Sequence, residues 1–301
     1  DAAGNANADG SDSNNTATIT VDTRRPTIAI TSDVSSLKAG ETATITFTIS
    51  ESVSDFVYGD ITVTSGGTLG SLSGSGTSYT ATFTPTSESN VNGVISVADT
   101  KFTNAAGNTN ADGSDANNTE TITVDTERPT IALSSSAANL KAGETATITF
   151  TLSESASDFV VGDITVSGGT LGSFSGSGTS YTVVFTPTAS STANGVISVA
   201  DTKFTDAAGN TNADSGDANN TSTITVDTER PTIALSSSAA NLKAGETATI
   251  TFTISESVSD FVKEDITVSG GTLGSVAGSG TSYTVVFTPT ASSTANGVIS
   301  V

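Results

Sequence analysis

The sequence of 301 residues contains no histidine, cysteine, methionine or tryptophan. Without cysteine there are no disulfides and no thiol chemistry. Without histidine or cysteine the common nucleophile–base pairs are missing, and so are the usual ligands of zinc and copper. The donors that remain are carboxylate, amide and carbonyl oxygens, which suit Ca²⁺ and Mg²⁺. Cationic side chains are scarce: 10 Lys and Arg stand against 31 Asp and Glu, for a net charge of −21. That balance argues against nucleic acid as a partner and against anionic membrane surfaces, both of which call for basic patches. Apolar runs extend for only a few residues, so no transmembrane span and no insertion into a membrane is expected. Asp1 is not an initiator residue, and nothing resembling a signal segment follows it.

What the sequence has in abundance is repetition. Asp22-Thr23-Arg24-Arg25-Pro26-Thr27-Ile28 recurs as Asp125-Thr126-Glu127-Arg128-Pro129-Thr130-Ile131 and as Asp227-Thr228-Glu229-Arg230-Pro231-Thr232-Ile233, at spacings of 103 and 102 residues. A period of this length is too long for a solenoid unit and suits a self-contained sandwich. Within each period the pattern is that of strands. Thr42 to Ile49 alternates polar and apolar residues, with Ala43, Ile45, Phe47 and Ile49 on one face. In the second period, strand A is predicted over 130–133, strand B over 145–152 and a hairpin near 164–173. Strand E follows over 180–187, F over 196–199 and G over 221–226. The expected fold is all-β: tandem immunoglobulin-like β-sandwich domains in an extended array. The expected divisions are residues 1–21 (an F–G loop and G strand of a preceding repeat), 22–124, 125–226 and 227–301, the last truncated before strand G.

The topology predicts where the acids gather. Strands alternate in direction, so the B–C loop, the F–G loop and the incoming linker share one end of each domain. For the second repeat this brings Asp125, Glu154, Asp158, Asp163, Asp201, Asp206, Asp214 and Asp217 toward one junction. Like charges so placed repel unless a cation bridges them. The F–G loop adds Asn108-Thr109-Asn110-Ala111-Asp112-Gly113-Ser114-Asp115, which matches the opening of an EF-hand-like calcium loop. An earlier partial copy carries Asn5, Asn7, Asp9 and Gly10, whereas the next copy departs at Ser215-Gly216. Asn/Asp/Gly-rich loops are also ordinary turn chemistry.

Other features read as structural. Tyr79, Tyr181 and Tyr283 are expected in the core, Lys141 in an exposed turn, and Arg128 in ion pairs with junction acids. Asn14, Asn117 and Asn219 open Asn-Asn-Thr sequons. Carboxylate pairs of the glycosidase kind are not expected to act catalytically, because they recur in every repeat with few aromatics for a sugar to stack on. No enzyme activity is predicted.

The blocks Asp-Thr-Glu-Arg-Pro-Thr-Ile, Leu-Lys-Ala-Gly-Glu-Thr-Ala-Thr-Ile-Thr-Phe-Thr, Ser-Glu-Ser-x-Ser-Asp-Phe, Tyr-Thr-x-x-Phe-Thr-Pro and Asp-Ala-Ala-Gly-Asn resemble the bacterial immunoglobulin-like domains of giant, calcium-binding, type I-secreted surface adhesins. The resemblance covers the whole chain. It implies an extracellular, cell-surface location and a role as an extender or fibre segment in adhesion or biofilm formation, rigidified by Ca²⁺ at the domain junctions. It points to the linker residues Asp22, Asp125 and Asp227, to Glu51, Glu154 and Glu256 of the B–C loops, and to the acids of the F–G loops. With the residues placed by topology and motif, the predicted metal ligands are these together with Asp55, Asp158 and Asp260, Asp99 and Asp201, Asn108 and Asn110, Asp112 and Asp115, Asp206 and Asn210, and Asp214 and Asp217. The implied partners are neighbouring repeats of the same chain and other copies in a fibre. Two alternatives remain open: a subunit of a self-assembling surface filament or sheath, and a carbohydrate- or receptor-binding module.

The phase of the repeats carries its own expectation. Asp1-Ala2-Ala3-Gly4-Asn5 aligns with Asp206-Ala207-Ala208-Gly209-Asn210, and Ser300-Val301 with Ser198-Val199. An excerpt of a longer fibre is expected, with head-to-tail strand complementation by residues 1–21 as the sharper alternative.

Overall fold

The computed structural model describes residues 1–8, 10, 13–112, 115–214 and 217–301. Alternating Thr with Ile, Val, Phe and Ala gives each long strand one buried and one wet face. The first sandwich is built from β1 (Ile28–Ser32), β2 (Ser36–Leu37), β3 (Ala43–Val53), β4 (Ile61–Ser65), β5 (Gly67–Leu69), β6 (Ser73–Pro85), β7 (Gly93–Val97) and β8 (Thr119–Val124). Its sheets run β1-β3-β6-β5 and β2-β8-β7-β4, and only the β2–β8 pair is parallel. The second sandwich comprises β9 (Ile131–Ser135), β10 (Asn139–Lys141), β11 (Ala146–Ala156), β12 (Ile164–Ser167), β13 (Gly169–Pro187), β14 (Gly195–Val199) and β15 (Thr221–Asp227), in sheets β9-β11-β13 and β10-β15-β14-β12. The third comprises β16 (Ile233–Ser237), β17 (Ala248–Val258), β18 (Thr267–Ser269), β19 (Gly271–Leu273), β20 (Ala277–Pro289) and β21 (Val298–Ser300), in sheets β16-β17-β20-β19 and β18-β21. The helical elements among the described residues are short 3₁₀ turns.

The expected strands of the second repeat are present, with three differences. The short parallel strand β10 was not expected, because two or three residues leave too little alternation to read. The expected hairpin becomes β12, a turn and the start of a long β13. Gly168 makes that turn at φ +72°, where a Cβ would lie 2.2 Å from the Asn194 carbonyl oxygen. Strand B, expected to end at Leu152, continues as β11 to Ala156. There the pairing with β13 jumps from Thr151↔Ser180 to Ala156↔Gly178. This bulge re-aims the residues inside it, Glu154 among them.

Ile148, Phe150 and Leu152 on β11 pack with Tyr181, Val183 and Phe185 on β13 and with Ile197, Val199, Ile224 and Val226 of the facing sheet. Two loop aromatics complete this core. Phe159 of the B–C loop and Phe204 of the F–G loop meet edge-on at 5.2 Å. Burying each ring contributes about 1.5–3 kcal/mol, so both acidic loops are anchored from below. The Tyr181 hydroxyl donates to the Ala156 carbonyl oxygen at 2.7 Å, and Tyr79 and Tyr283 make the same bond to Val53 and Val258.

Residues 16–21 repeat the sequence of β8 and β15 but form no strand, and Ile19 and Val21 are 81% and 72% exposed. Their counterparts Ile122 and Val124 are buried in β8, which is flanked by β7 and β2. Backbone pairing and a covered face hold that segment in one place, and among the described residues no strand supplies them in the other.

Candidate metal centre at the domain joint

The linker between the first two sandwiches is tied at both ends. Thr126 is buried. Its hydroxyl donates to the Thr86 carbonyl oxygen at 2.7 Å and accepts from the Ser89 N–H at 3.0 Å, and its own N–H donates to the Ser89 carbonyl oxygen at 2.9 Å. Thr228 repeats these bonds with Thr188 and Ser191. Toward the second sandwich, Pro129 accepts from the Ala213 N–H at 3.1 Å, and Ile131 donates to Asp214 Oδ1 at 2.9 Å. Asn210 of the F–G loop spans the joint: its Nδ2 donates to the Asp125 carbonyl oxygen at 3.0 Å, and its Oδ1 accepts from the Ala39 N–H of the first sandwich at 2.7 Å.

Between these ties three carboxylates converge. The linker brings Asp125, the β11 bulge brings Glu154, and the F–G loop brings Asp206. One ligand oxygen from each lies within 4.8 Å of the others. Oxygens bound to a single Ca²⁺ at about 2.3–2.6 Å lie no more than about 5 Å apart, so the set fits such an ion. Asp125 Oδ1 and Glu154 Oε1 are buried and have no hydrogen-bond partner. Asp206 accepts from the Asn210 N–H and Nδ2, both at 2.8 Å. Burial pushes the Glu154 carboxyl above its ordinary value, and the charges of Asp206, Asp125, Glu127 and Glu88 add to the shift.

No basic side chain neutralises this group. Among the described residues the one ion pair joins Lys141 to Glu144, at 3.8 Å. The expectation that Arg128 pairs with junction acids is therefore corrected. Its Nη1 donates to Thr211 Oγ1 at 3.4 Å, and its backbone N–H, not its guanidinium, meets Glu88 Oε2 at 3.3 Å.

The other predicted ligands are dispersed. At the first joint Asp22 and Glu51 converge on Asn104, whose Nδ2 donates to Asp22 Oδ2 at 3.3 Å and to Glu51 Oε2 at 3.2 Å. Asp55 and Asp158 clasp the F–G loop by accepting from the N–H and hydroxyl of Thr103 and Thr205. At Asp55 burial opposes ionisation, but those Thr103 bonds prevail and hold its carboxyl low. Asp260 is exposed. Asp163 closes its own 3₁₀ turn by accepting from the Val160 N–H at 2.8 Å. Asp99 and Asp201 accept from the N–H of Asp112 and Asp214. Asp112 and Asp214 are buried, each with one oxygen on the first N–H of β1 or β9 and its Oδ2 without a partner. Burial pushes the Asp214 carboxyl up despite the Ile131 N–H, and Asp201 and Asp217 add to this. Asp115 and Asp217 are exposed at the same loop. Asp227 is exposed at the third joint, and Glu256 Oε1 there is buried without a partner.

The EF-hand-like spacing does not gather its donors. Asn108 Nδ2 turns to the Asp22 carbonyl oxygen, Asn110 Oδ1 accepts from the N–H of Lys101 and Phe102, and Asp112 faces β1. Asp9, Gly113, Ser114, Ser215 and Gly216 lie outside the described residues. Sequence reasoning missed Asn104, Glu88, Glu127 and Thr126. Asn104 and Glu127 left a signal, as departures from Asp206 and Arg24 when the repeats are aligned.

The structure is similar to several solved ones. A chain described as FdeC, an Escherichia coli adhesin, is 14% identical, with 87% of each chain covered and a TM-score of 0.34. Yersinia pseudotuberculosis InvD is 18% identical over 91% of this chain and 81% of that one, with a TM-score of 0.32. The I9–I11 tandem of titin is 8% identical over 86% and 89%, with a TM-score of 0.29. Likeness at these levels leaves function to the residues of the chain itself. No match was found among curated proteins. No helix among the described residues is long and apolar enough to cross a membrane. The family model described as "Bacterial Ig-like domain" matches residues 22–121, 125–223 and 227–301, and the chain therefore belongs to the bacterial Ig-like domain family.

Proposed function

We propose that this chain is a structural extender of a bacterial cell-surface adhesin, and that Ca²⁺ held by Asp125, Glu154 and Asp206 stiffens the joint between its first two sandwiches. Its role is mechanical rather than catalytic. The observation that carries the reading is the convergence of three carboxylate oxygens within 4.8 Å, two residues of the three having a buried, unpartnered oxygen. These three residues belong to the linker, the B–C end and the F–G loop, so an ion bound there fixes the linker to the sandwich that follows. The −21 charge suits an extracellular setting in which a divalent cation is abundant.

The test is thermal unfolding in calcium and in chelator. With a dissociation constant of about 10⁻³ M, about 10 mM calcium stabilises by roughly 1.4 kcal/mol. For a domain of this size that raises the melting temperature by about 6–11 °C. Identical melting under both conditions contradicts the reading.

A further inference from the structure

The linker-end sites of the first two sandwiches differ at one position of the triad, and we infer that this residue decides which site takes an ion: Asn104 fills the first with its own amide, whereas Asp206 leaves the second to a cation. The inference rests on the calcium reading of the second joint and adds a rule for where ions go.

At the first joint Asn104 is 5% exposed. Its orientation is fixed from both ends. Oδ1 accepts from the N–H of Ala106 at 3.1 Å and of Asn108 at 2.9 Å. Nδ2 therefore faces the linker, where it donates to Asp22 Oδ2 at 3.3 Å, Glu51 Oε2 at 3.2 Å and the Arg24 carbonyl oxygen at 3.1 Å. An amide nitrogen sits among three oxygens of the kind a cation collects.

At the second joint the counterparts are Asp125, Glu154 and Glu127, and the central group is the Asp206 carboxylate. It has no proton to give. The two oxygens left without partners, Asp125 Oδ1 and Glu154 Oε1, belong to the counterparts of Asp22 and Glu51, the two residues whose carboxylates the amide serves at the first site. The flanking position reinforces the contrast: Arg24 stands in the first linker where Glu127 stands in the second. A buried acceptor without a donor is destabilising. At one joint the amide removes that cost, and at the other a cation does.

The experiment is calcium titration by calorimetry on the whole chain and on two single variants, Asn104→Asp and Asp206→Asn. N104D is expected to bind one more ion than the starting chain, and D206N one fewer. Far-UV circular dichroism establishes that each variant is folded. In chelator D206N is also expected to melt above the starting chain, because the new amide serves both orphaned oxygens. Unchanged stoichiometry in folded N104D overturns the inference while leaving the calcium reading intact. A starting chain that binds no calcium overturns the calcium reading, and D206N melting higher in chelator then shows separately that the amide substitutes at this position.

Discussion

At Asn104 and at Asp206 the chain makes the same turn. The N–H of each donates to the carbonyl oxygen four residues on at 3.1 Å, and its own carbonyl oxygen accepts from Gly107 or Gly209. Phe102 and Phe204 lie beneath, both 1% exposed, and Asn110 and Asn212 staple the loop with the same three bonds. On this common frame one joint is closed by an amide, and the other collects Asp125, Glu154 and Asp206 with Glu88 and Glu127 close enough to shift Glu154. Near-identical repeats thus share a scaffold whose energetics lie in the apolar core, while the chemistry of each joint depends on one or two positions that the core does not constrain.

The largest effect tests the scaffold. Asn110→Ala and Asn212→Ala each leave two backbone N–H groups and one carbonyl unserved, at about 1–3 kcal/mol apiece. The two losses are expected to match in denaturant unfolding, with and without calcium. A large difference between them breaks the claim that the loops are equivalent. Next comes the linker. Thr126→Val removes the hydroxyl bonded to Thr86 and Ser89 and is expected to lower the melting temperature of the first sandwich by the equivalent of about 1–3 kcal/mol. An unchanged melt would mean that the linker is not tied to the sandwich it leaves.

Acidification sharpens the contrast in the absence of calcium. Glu154 and Asp214 have raised folded values. Between the unfolded and folded values the native state holds more protons, so stability falls as pH rises through that window. In chelator the second sandwich should therefore gain stability as pH falls from neutrality toward the ordinary carboxylate values, 4.5 for Glu and 3.8 for Asp. Asp55 in the first sandwich has the opposite sign. Its lowered value contributes stability above the unfolded value that is lost as pH falls through the folded one. Calorimetric melting from neutral pH to below the ordinary aspartate value of 3.8 checks both directions. The smallest effect is Glu127→Arg, which gives the second joint the residue of the first. A charge at the rim of the site contributes about 1 kcal/mol, so calcium affinity at that joint should fall by about fivefold in calorimetric titration.

The fold was legible because alternation over eight residues, as from Thr42 to Ile49, reports a half-buried strand directly. The end of the domain that carries the acids followed from strand direction alone. What the sequence did not disclose was how each acid is used. Asp158 and Asp201 bind backbone N–H groups, and Asn110 holds its own loop, because buried loop backbone needs acceptors as much as a cation does. Glu154 reaches the site through a bulge that no periodicity announces, and β10 is too short to carry a pattern. Asn104 was readable from the aligned repeats, but its meaning required the direction of its amide.

If calcium fixes the joint around Asp125, the first two sandwiches move less against each other with the ion bound. Because the chain has no cysteine, Thr84→Cys and Thr186→Cys give two unique spin-labelling sites, one on β6 of the first sandwich and one on β13 of the second. Their distance distribution, measured by pulsed electron paramagnetic resonance, is expected to narrow on adding calcium and to broaden again in chelator, while in the Asp206→Asn background it stays the same in both. A distribution of equal width with and without calcium in the otherwise unaltered chain contradicts the account.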